Sequence, residues 1–305
     1  MRRLPAVVLA MVVLAYGGAV GYLKWNETDL VYEPRLAKFE AGRINTPADS
    51  LHVSPVQFRA SDGSRLSAWV IPPFHPDSAA VWVLVCHGNA GNLTLTKRQD
   101  FYARLRALDV GVLAFDYRGF GESEGRTPNE AGLYRDAQAA YDFLRKVRGV
   151  PANRIVLFGH SLGSGVAVDL ATHAEAAGLI VEGAYTSVPN VGQERYPIFP
   201  VRLIAANRFE SIDKIERVSM PKLVLHATDD QIIPYEHGRA LYAKAKEPKQ
   251  FVSLTGGHED AYRLDPRYME AFAAFVRRVA PNQGPTGESP FRPNQAPSGE
   301  SPLRP

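Results

Sequence analysis

The chain has 305 residues, of which 45% are hydrophobic, and its 35 basic and 32 acidic residues give a formal net charge of +3. This length and apolar content suffice for one large hydrophobic core or two small ones. The charges form neither a basic run suited to nucleic acid nor an acidic tail, so we expect no nucleic-acid partner. Cys86 is the only cysteine, which excludes a disulfide within the chain, and its apolar surroundings predict a buried structural thiol.

The N-terminus carries an uncharged run over residues 4–23, preceded by Arg2-Arg3 and followed by Lys24. A helix of this length crosses a hydrocarbon core, and paired arginines favour an N-terminus in the cytoplasm. We therefore predict a single-pass membrane anchor over residues 1–24, with the rest of the chain on the non-cytoplasmic side. The alternative is a signal peptide cleaved near Gly17-Gly18-Ala19 and a secreted protein.

A linker is expected over residues 25–52, and strand and helix signals alternate over residues 53–280. Apolar strands that alternate with amphipathic helices are typical of an α/β fold, with a mostly parallel sheet covered by helices on both faces. The predicted strands span residues 57–60, 67–71, 81–86, 110–115, 155–158, 179–182, 223–226 and 251–254. The predicted helices span residues 94–108, 129–148, 164–171 and 236–245, and a last helix buries Met269, Phe272, Phe275, Val276 and Val279.

The alternation breaks over residues 184–218, between two predicted strands, and we interpret this segment as a short cap insertion near the carboxyl ends of the strands. Its middle, residues 196–204, is apolar and aromatic. This part is either a lid or wall for an acyl chain or a surface helix packed on its own domain.

The C-terminal residues 281–305 contain two near-copies of a Pro/Gly/Ser-rich segment, which predicts a disordered tail.

A G-x-S-x-G motif, Gly159-His160-Ser161-Leu162-Gly163, stands between a predicted strand and a predicted helix. This context is typical of the nucleophile elbow, a sharp turn that raises a serine hydroxyl above a parallel sheet. Residues 121–125 also match the pattern, but no strand precedes them and no helix follows directly. We therefore predict that Ser161 is the nucleophile and that Ser123 is not.

A serine nucleophile needs a base and an orienting carboxylate, which follow it in this fold in the order acid, then histidine. Asp230 lies in a turn after an apolar strand and precedes Gln-Ile-Ile-Pro, so it is the predicted acid, with Asp229 and Glu182 as alternatives. His258 lies in a glycine-rich loop between the last strand and the last helix, and it is the predicted base.

The developing oxyanion needs hydrogen-bond donors, which the loop His87-Gly88-Asn89-Ala90-Gly91-Asn92 can supply after its strand. We expect the backbone N–H groups of Asn89 and Leu162 to point at one spot. No pair of histidines has metal-ligand spacing in the sequence, so we predict neither a metal nor a cofactor.

These motifs resemble those of the α/β-hydrolase superfamily. The resemblance is greatest to small-cap serine hydrolases that carry H-G-N-A-G-N, D-Y-R-G-F-G-x-S-x-G and G-H-S-L-G, here at residues 87–92, 116–125 and 159–163. That group includes animal lysophospholipid lipases, protein depalmitoylases and membrane-anchored bacterial hydrolases often labelled prolyl-oligopeptidase-like. The resemblance covers residues 53–280 and implies the same roles for Ser161, Asp230, His258, Asn89 and Leu162. It also implies that residues 116–125 shape loops above the sheet rather than react.

We therefore expect a serine hydrolase that cleaves carboxylic esters or thioesters through an acyl-serine intermediate. The predicted anchor and the apolar segment 196–204 favour lipid acyl esters as substrates. A serine peptidase is the alternative, although the chain has no large second domain to filter peptides. A catalytically inactive binding protein is a further alternative. The sequence argues against it, because every expected catalytic position holds a residue that can perform its role.

Overall fold

A computed structural model describes residues 3–33, 51–76, 80–125 and 127–280. The predicted tail at 281–305 and residues 34–50 of the predicted linker lie outside the described residues. The strands are β1 (Ser54–Arg59), β2 (Arg65–Ile71), β3 (Trp82–Cys86), β4 (Gly111–Phe115), β5 (Ile155–His160), β6 (Gly178–Glu182), β7 (Lys222–Ala227) and β8 (Lys249–Leu254). The helices are α1 (Arg3–Trp25), α2 (Glu27–Val31), α3 (Thr96–Ala107), α4 (Glu130–Asp142), α5 (Leu162–Ala171), α6 (Val188–Arg195), α7 (Val201–Ile204), α8 (Ser211–Lys214), α9 (Tyr235–Lys244), α10 (Ala261–Leu264) and α11 (Pro266–Val279).

The eight strands form one sheet in the order β1-β2-β4-β3-β5-β6-β7-β8. β2 runs antiparallel to both of its neighbours, β1 and β4. The six strands β4, β3, β5, β6, β7 and β8 are parallel to one another. Every residue of β3, β4 and β6 is buried, because helices cover both faces of the sheet. One core cluster packs α4, α5 and α9 against the sheet, and the other packs α3 and α11 against the opposite face. The predicted mostly parallel α/β fold is thus confirmed.

Two helices differ in detail from their sequence patterns. The predicted helix over 129–148 begins as expected, with the Asn129 side chain accepting a hydrogen bond from Gly132 N, but α4 ends at Asp142 and continues as a π turn over Phe143–Val147. In α11, Phe272, Phe275 and Val276 are buried as predicted, whereas Met269 and Val279 are only partly buried. The buried residues Tyr268 and Ala273 complete that face of α11.

The predicted cap insertion over 184–218 contains α6, α7 and α8. α8 packs on α5, while α6 and α7 border a cavity at the carboxyl edge of the sheet. The middle of the insertion serves as a wall, since Val201 and Ile204 line that cavity. It also faces outward, because Ile198 and Leu203 are exposed.

α1 is long and apolar enough to cross a membrane, a test that an N-terminal signal sequence also passes. Within the predicted linker, α2 follows α1 directly and the chain then reaches the domain. There the side chain of Tyr32 is buried, and Glu33 forms a parallel β-bridge with Ala90. The N-terminal segment therefore packs onto the carboxyl edge of the sheet.

Candidate active site

Ser161 sits in a strained turn between β5 and α5. Its φ and ψ of 52° and −123° lie in a region that L residues rarely adopt. The turn is tight because a Cβ on Gly159 would lie 2.4 Å from Gly163 O, and one on Gly163 would lie 2.0 Å from Cys86 O. The two motif glycines thus let the strand, the turn and the helix pass within contact distance, as the nucleophile-elbow interpretation requires.

The fold brings the three predicted catalytic side chains into one hydrogen-bonded row. Ser161 Oγ lies 2.8 Å from His258 Nε2, and His258 Nδ1 lies 2.7 Å from Asp230 Oδ2. Because a carboxylate can only accept, Nδ1 carries the proton and Nε2 accepts from the serine hydroxyl. The three residues follow β5, β7 and β8 in chain order, and each stands at the carboxyl end of its strand. In this arrangement His258 can take the proton of Ser161.

Asp230 is built to remain ionised. Its Oδ1 accepts hydrogen bonds of 2.8 Å from the backbone N–H groups of Ile232 and Ile233. Burial alone would raise its pKa, but hydrogen bonds from His226 and His258 outweigh burial and hold the pKa of Asp230 well below its usual value. His226 Nε2 hydrogen-bonds to Ile233 O at 3.0 Å and also lies 3.5 Å from Asp230 Oδ2, so its ring supports the turn that carries the acid. The sequence analysis did not single out this residue. Its position at the end of a predicted strand gave no signal of this contact.

The two alternative acids occupy different surroundings. Asp229 is exposed, and its carboxylate accepts only a long 3.4 Å hydrogen bond from Thr228 Oγ1 among the described contacts. Glu182 is buried at the end of β6 and accepts a 2.8 Å hydrogen bond from Tyr268 OH. Burial raises the pKa of Glu182, which disfavours its charged form. The geometry therefore favours Asp230 over both.

A glycine makes the room that the imidazole needs. Gly183 follows β6 with a φ of +51°, and a Cβ there would lie 3.0 Å from His258 Cε1 and 3.1 Å from His258 Nδ1. Any side chain at this position would press on the ring and strain the backbone. The sequence analysis missed Gly183, although a glycine directly after a strand that ends near the site was a usable signal.

The loop after β3 passes directly beside the nucleophile. A Cβ on Gly88 would lie 3.4 Å from the Cβ of Ser161 and 3.1 Å from His160 Nδ1. Arg98 Nη2 anchors the loop by donating to Gly88 O at 3.0 Å and to Ala90 O at 2.6 Å. Asn89 in this loop and Leu162 at the start of α5 line the same cavity as Ser161.

The backbone of Glu33 holds this loop from the other side. Glu33 N donates to Asn89 O at 3.0 Å, and Gly91 N donates to Glu33 O at 3.0 Å. The N-terminal segment therefore fixes the peptide next to the predicted oxyanion donor. This contact uses only main-chain atoms, which every residue type has, so the sequence could not predict it.

A cavity of about 380 Å³ opens above Ser161. Its wall is mostly apolar and comes from the cap on one side and from the end of α1 and α2 on the other. The aliphatic lining residues are Leu23, Leu30, Val31, Leu162, Val188, Val191, Val201, Ile204, Ala205, Ile232 and Ile233. Charged lining residues are Lys24, Glu27, Asp29, Glu33 and Arg195. Such a cavity suits a substrate with an apolar chain and a polar end.

Ser123, in the second G-x-S-x-G match at residues 121–125, has a structural role. Ser123 Oγ donates to Asp116 O at 2.6 Å and accepts from Ser67 N at 2.8 Å, which ties the loop to β2. Arg118 in the same stretch forms a buried ion pair with Asp136 at 2.7 Å. Burial also raises the pKa of the Cys86 thiol to about 12, as expected of an inert structural cysteine.

The described residues include one group with metal-ligand chemistry, formed by His160, His258 and Glu259, whose ligand atoms lie within 4.8 Å of one another. Sequence spacing did not reveal it, because the fold brings two separate loops together. Both ring nitrogens of His258 are engaged by Ser161 and Asp230, and Glu259 pairs with Lys97. The absence of a metal therefore stays a prediction.

Comparisons with known proteins agree with this architecture. A family model described as serine aminopeptidase, S33 (Hydrolase_4), matches residues 77–211. The chain is 36% identical over 281 residues to the protein Rv2307c of Mycobacterium tuberculosis, covering 92% of this chain and 96% of that one. It is 31% identical over 228 residues to human alpha/beta hydrolase domain-containing protein 17B, covering 73% and 75%. A Pyrococcus furiosus esterase, Pf2001, superposes with a TM-score of 0.67 at 19% identity, covering 81% of this chain and 99% of that chain.

The chain therefore belongs to the α/β-hydrolase superfamily and is a hydrolase of this fold, as its eight-stranded sheet, its elbow and these relatives show. The predicted membership of the α/β-hydrolase superfamily is thus confirmed.

Proposed function

We propose that the chain is a serine hydrolase that cleaves carboxylic esters or thioesters through an acyl-Ser161 intermediate. The observation that carries this proposal is the continuous hydrogen-bonded row from Ser161 Oγ through His258 to Asp230, with distances of 2.8 and 2.7 Å. This arrangement matches the roles of nucleophile, base and orienting acid.

In the proposed reaction, Ser161 Oγ attacks the carbonyl carbon while its proton passes to His258 Nε2. Asp230 stabilises the resulting imidazolium, and the N–H groups of Asn89 and Leu162 donate to the oxyanion. The C–O or C–S bond then breaks, and the leaving alcohol or thiol takes the proton from His258. A water molecule then attacks the acyl carbon while His258 takes its proton. The bond from the acyl carbon to Ser161 Oγ breaks, His258 returns the proton to that oxygen, and the carboxylic acid is released.

The apolar cavity supports an acyl chain as the part of the substrate that is recognised. A volume of about 380 Å³ lies at the lower end of the range for small-molecule sites. We further propose that α1 is a retained anchor with the catalytic domain on the non-cytoplasmic side, supported by its length, its apolar composition and Arg2-Arg3. Lipid acyl esters are the substrates that combine these features.

A peptidase is the second candidate, because the matching family model is described as a serine aminopeptidase. Asp29 and Glu33 on the cavity wall carry carboxylates of the kind that an amino terminus would require. The Glu27 carboxylate is already held by Lys24 and by the backbone N–H groups of Ala206 and Asn207. The same triad can attack an amide.

A comparison of ester, thioester and amide substrates separates these candidates. We expect the full chain in detergent to hydrolyse p-nitrophenyl butyrate and butyryl thiocholine with kcat/KM about 100-fold or more above that for alanine p-nitroanilide, because nitrophenolate and thiolate leaving groups depart more readily than amines. Equal or faster anilide cleavage would reverse the assignment to a peptidase. A folded protein that turns over none of the three would point to the binding-protein alternative.

The contact between Glu33 and the loop of Asn89 can be tested with a matched pair of variants. Glu33→Pro removes the N–H that holds Asn89 O, whereas Glu33→Ala removes the same side chain and keeps that N–H. We expect Glu33→Pro to lower kcat about 10- to 100-fold, less than the loss of a whole oxyanion donor, with a smaller change in KM. Glu33→Ala should stay within about threefold of wild type, and equal losses in the two variants would contradict the positioning role.

A further inference from the structure

The cap and α1 meet at a point that the catalytic site does not explain. We call Ile198, Phe199 and Leu203 the cap tip. Tyr16 OH, in the second half of α1, donates to Ile198 O at 2.8 Å, and its ring stacks on Phe199 with centroids 5.7 Å apart and planes at 18°. The cap tip and α1 therefore share one continuous surface.

That surface is apolar and exposed. Ile198 is 72% exposed and Leu203 is 86% exposed, although both belong to the segment whose other side lines the cavity. The flank of α1 exposes further large apolar side chains, Val12, Val13 and Leu14. A contiguous exposed apolar surface of this kind marks a contact with lipid or with another protein.

The position of Tyr16 along α1 decides between these occupants. Trp25, at the end of α1 and 89% exposed, stands next to Lys24, a pairing typical of the membrane–water interface. Tyr16 precedes Trp25 by nine residues, or about 13 Å at roughly 1.5 Å per residue. Half of a hydrocarbon core is about 15 Å. If α1 spans a bilayer, its contact with the cap tip lies below the headgroups, so the covering medium is lipid.

We propose that the cap tip inserts into the leaflet on the side of the catalytic domain, and that the cavity takes amphiphilic acyl esters laterally from that leaflet. The inference rests on the proposed esterase function and on α1 as an anchor. It is supported by the cavity lining, since Leu23 and Lys24 at the interfacial end of α1 and Glu27 at the start of α2 form part of its wall. An ester group held near headgroup level then faces Ser161 while its acyl chain stays among apolar side chains.

The exposed Arg195 of the cap fits the same placement. It lines the cavity together with Lys24, at the interfacial end of α1. A long arginine side chain keeps its stem along apolar surface while the guanidinium reaches lipid phosphates. Arg195 can therefore meet the headgroup region, while the cap tip lies among the acyl chains.

A double variant tests the insertion by activity. Ile198→Glu with Leu203→Glu adds two charges to the cap tip, and Val147→Glu is the matched control. Val147 is also exposed, at 69%, but lies near the amino end of β3, where Arg148 stacks over Trp82. The full-length proteins are reconstituted into phosphatidylcholine vesicles and assayed with 4-methylumbelliferyl palmitate in the bilayer and p-nitrophenyl butyrate in solution.

We expect the double variant to hydrolyse the bilayer substrate at least about tenfold more slowly and the soluble ester within about twofold of wild type. Val147→Glu should match wild type on both substrates. An unchanged bilayer rate, or an equal loss on both substrates, overturns the insertion. A wild-type protein inactive on the soluble ester would instead refute the proposed function, so the two failures are distinguishable.

A direct probe of depth is independent of activity. Leu203→Cys, labelled with an environment-sensitive nitrobenzoxadiazole in the presence of the buried Cys86, is expected to be quenched by acyl-chain nitroxide lipids and shielded from aqueous iodide. Quenching by iodide in vesicles overturns the proposal. Shielding from iodide without quenching by the lipid nitroxides also overturns it, and would assign the surface to a second copy of the chain or another protein.

Discussion

Replacing Ser161 by alanine is expected to lower kcat/KM for p-nitrophenyl butyrate by at least about 10⁴-fold. The alanine cannot form the proposed acyl intermediate, and the predicted oxyanion donors and the cavity would supply only residual catalysis. The measurement is the initial rate of ester hydrolysis by the full chain in detergent. Circular dichroism and thermal unfolding should match wild type, since Ala keeps the Cβ and the backbone of the elbow.

Ser123→Ala is the matched control, because Ser123 stands in the other G-x-S-x-G of the same chain. Its hydroxyl makes two buried hydrogen bonds, to Asp116 O and from Ser67 N. We expect activity within about threefold of wild type and a loss of stability on the order of 1–3 kcal/mol. Esterase activity that survives in Ser161→Ala, or that disappears in a folded Ser123→Ala protein, would contradict the assignment of the nucleophile.

Replacing Asp230 by asparagine is expected to reduce kcat about 10³- to 10⁴-fold with little change in KM. The amide is nearly isosteric, but it carries no charge to stabilise the imidazolium, and its NH₂ group favours the wrong tautomer of His258. The depressed pKa of Asp230 means that the carboxylate is charged throughout the neutral range, so the loss should not be recovered between about pH 6 and 9. Steady-state kinetics over that range provide the measurement.

Two neighbours serve as controls for this variant. Asp229→Asn changes the exposed carboxylate one residue earlier, and Glu182→Gln keeps an acceptor for Tyr268 OH while removing a buried acid. Each should retain activity within about fivefold of wild type. A larger loss in either variant than in Asp230→Asn would move the role of the acid to that residue.

Local sequence patterns were sufficient to predict the sheet and to select Ser161, Asp230 and His258, whose side chains the fold brings into hydrogen-bond contact. The apolar runs of β3, β4 and β6 are buried on both faces, so their composition directly predicts parallel strands. The elbow was identified because a tight strand-to-helix turn requires small residues at Gly159 and Gly163, which a pattern can express. Glycine spacing and chain order therefore carried most of the information about the site.

The features that escaped prediction depend on contacts between distant segments. Glu33 supports the Asn89 loop through main-chain atoms, which leave no mark on residue type. Likewise, the sequence identifies His226 only as a residue of a strand. The contact between its ring and Asp230 depends on how the turn after β7 folds back. The contact of Tyr16 with the cap joins positions 182 residues apart. A single sequence contains no periodicity or motif that reports such pairings.

The measurement that tests the central claim most directly is labelling of the full-length protein with a fluorophosphonate, followed by mass-spectrometric mapping of the adduct. We expect one adduct, on Ser161, which is absent from Ser161→Ala and forms at least about 100-fold more slowly in His258→Ala, because the hydroxyl then lacks its base. A folded wild-type protein that takes no label, or that takes it on another serine such as Ser123, would contradict the account.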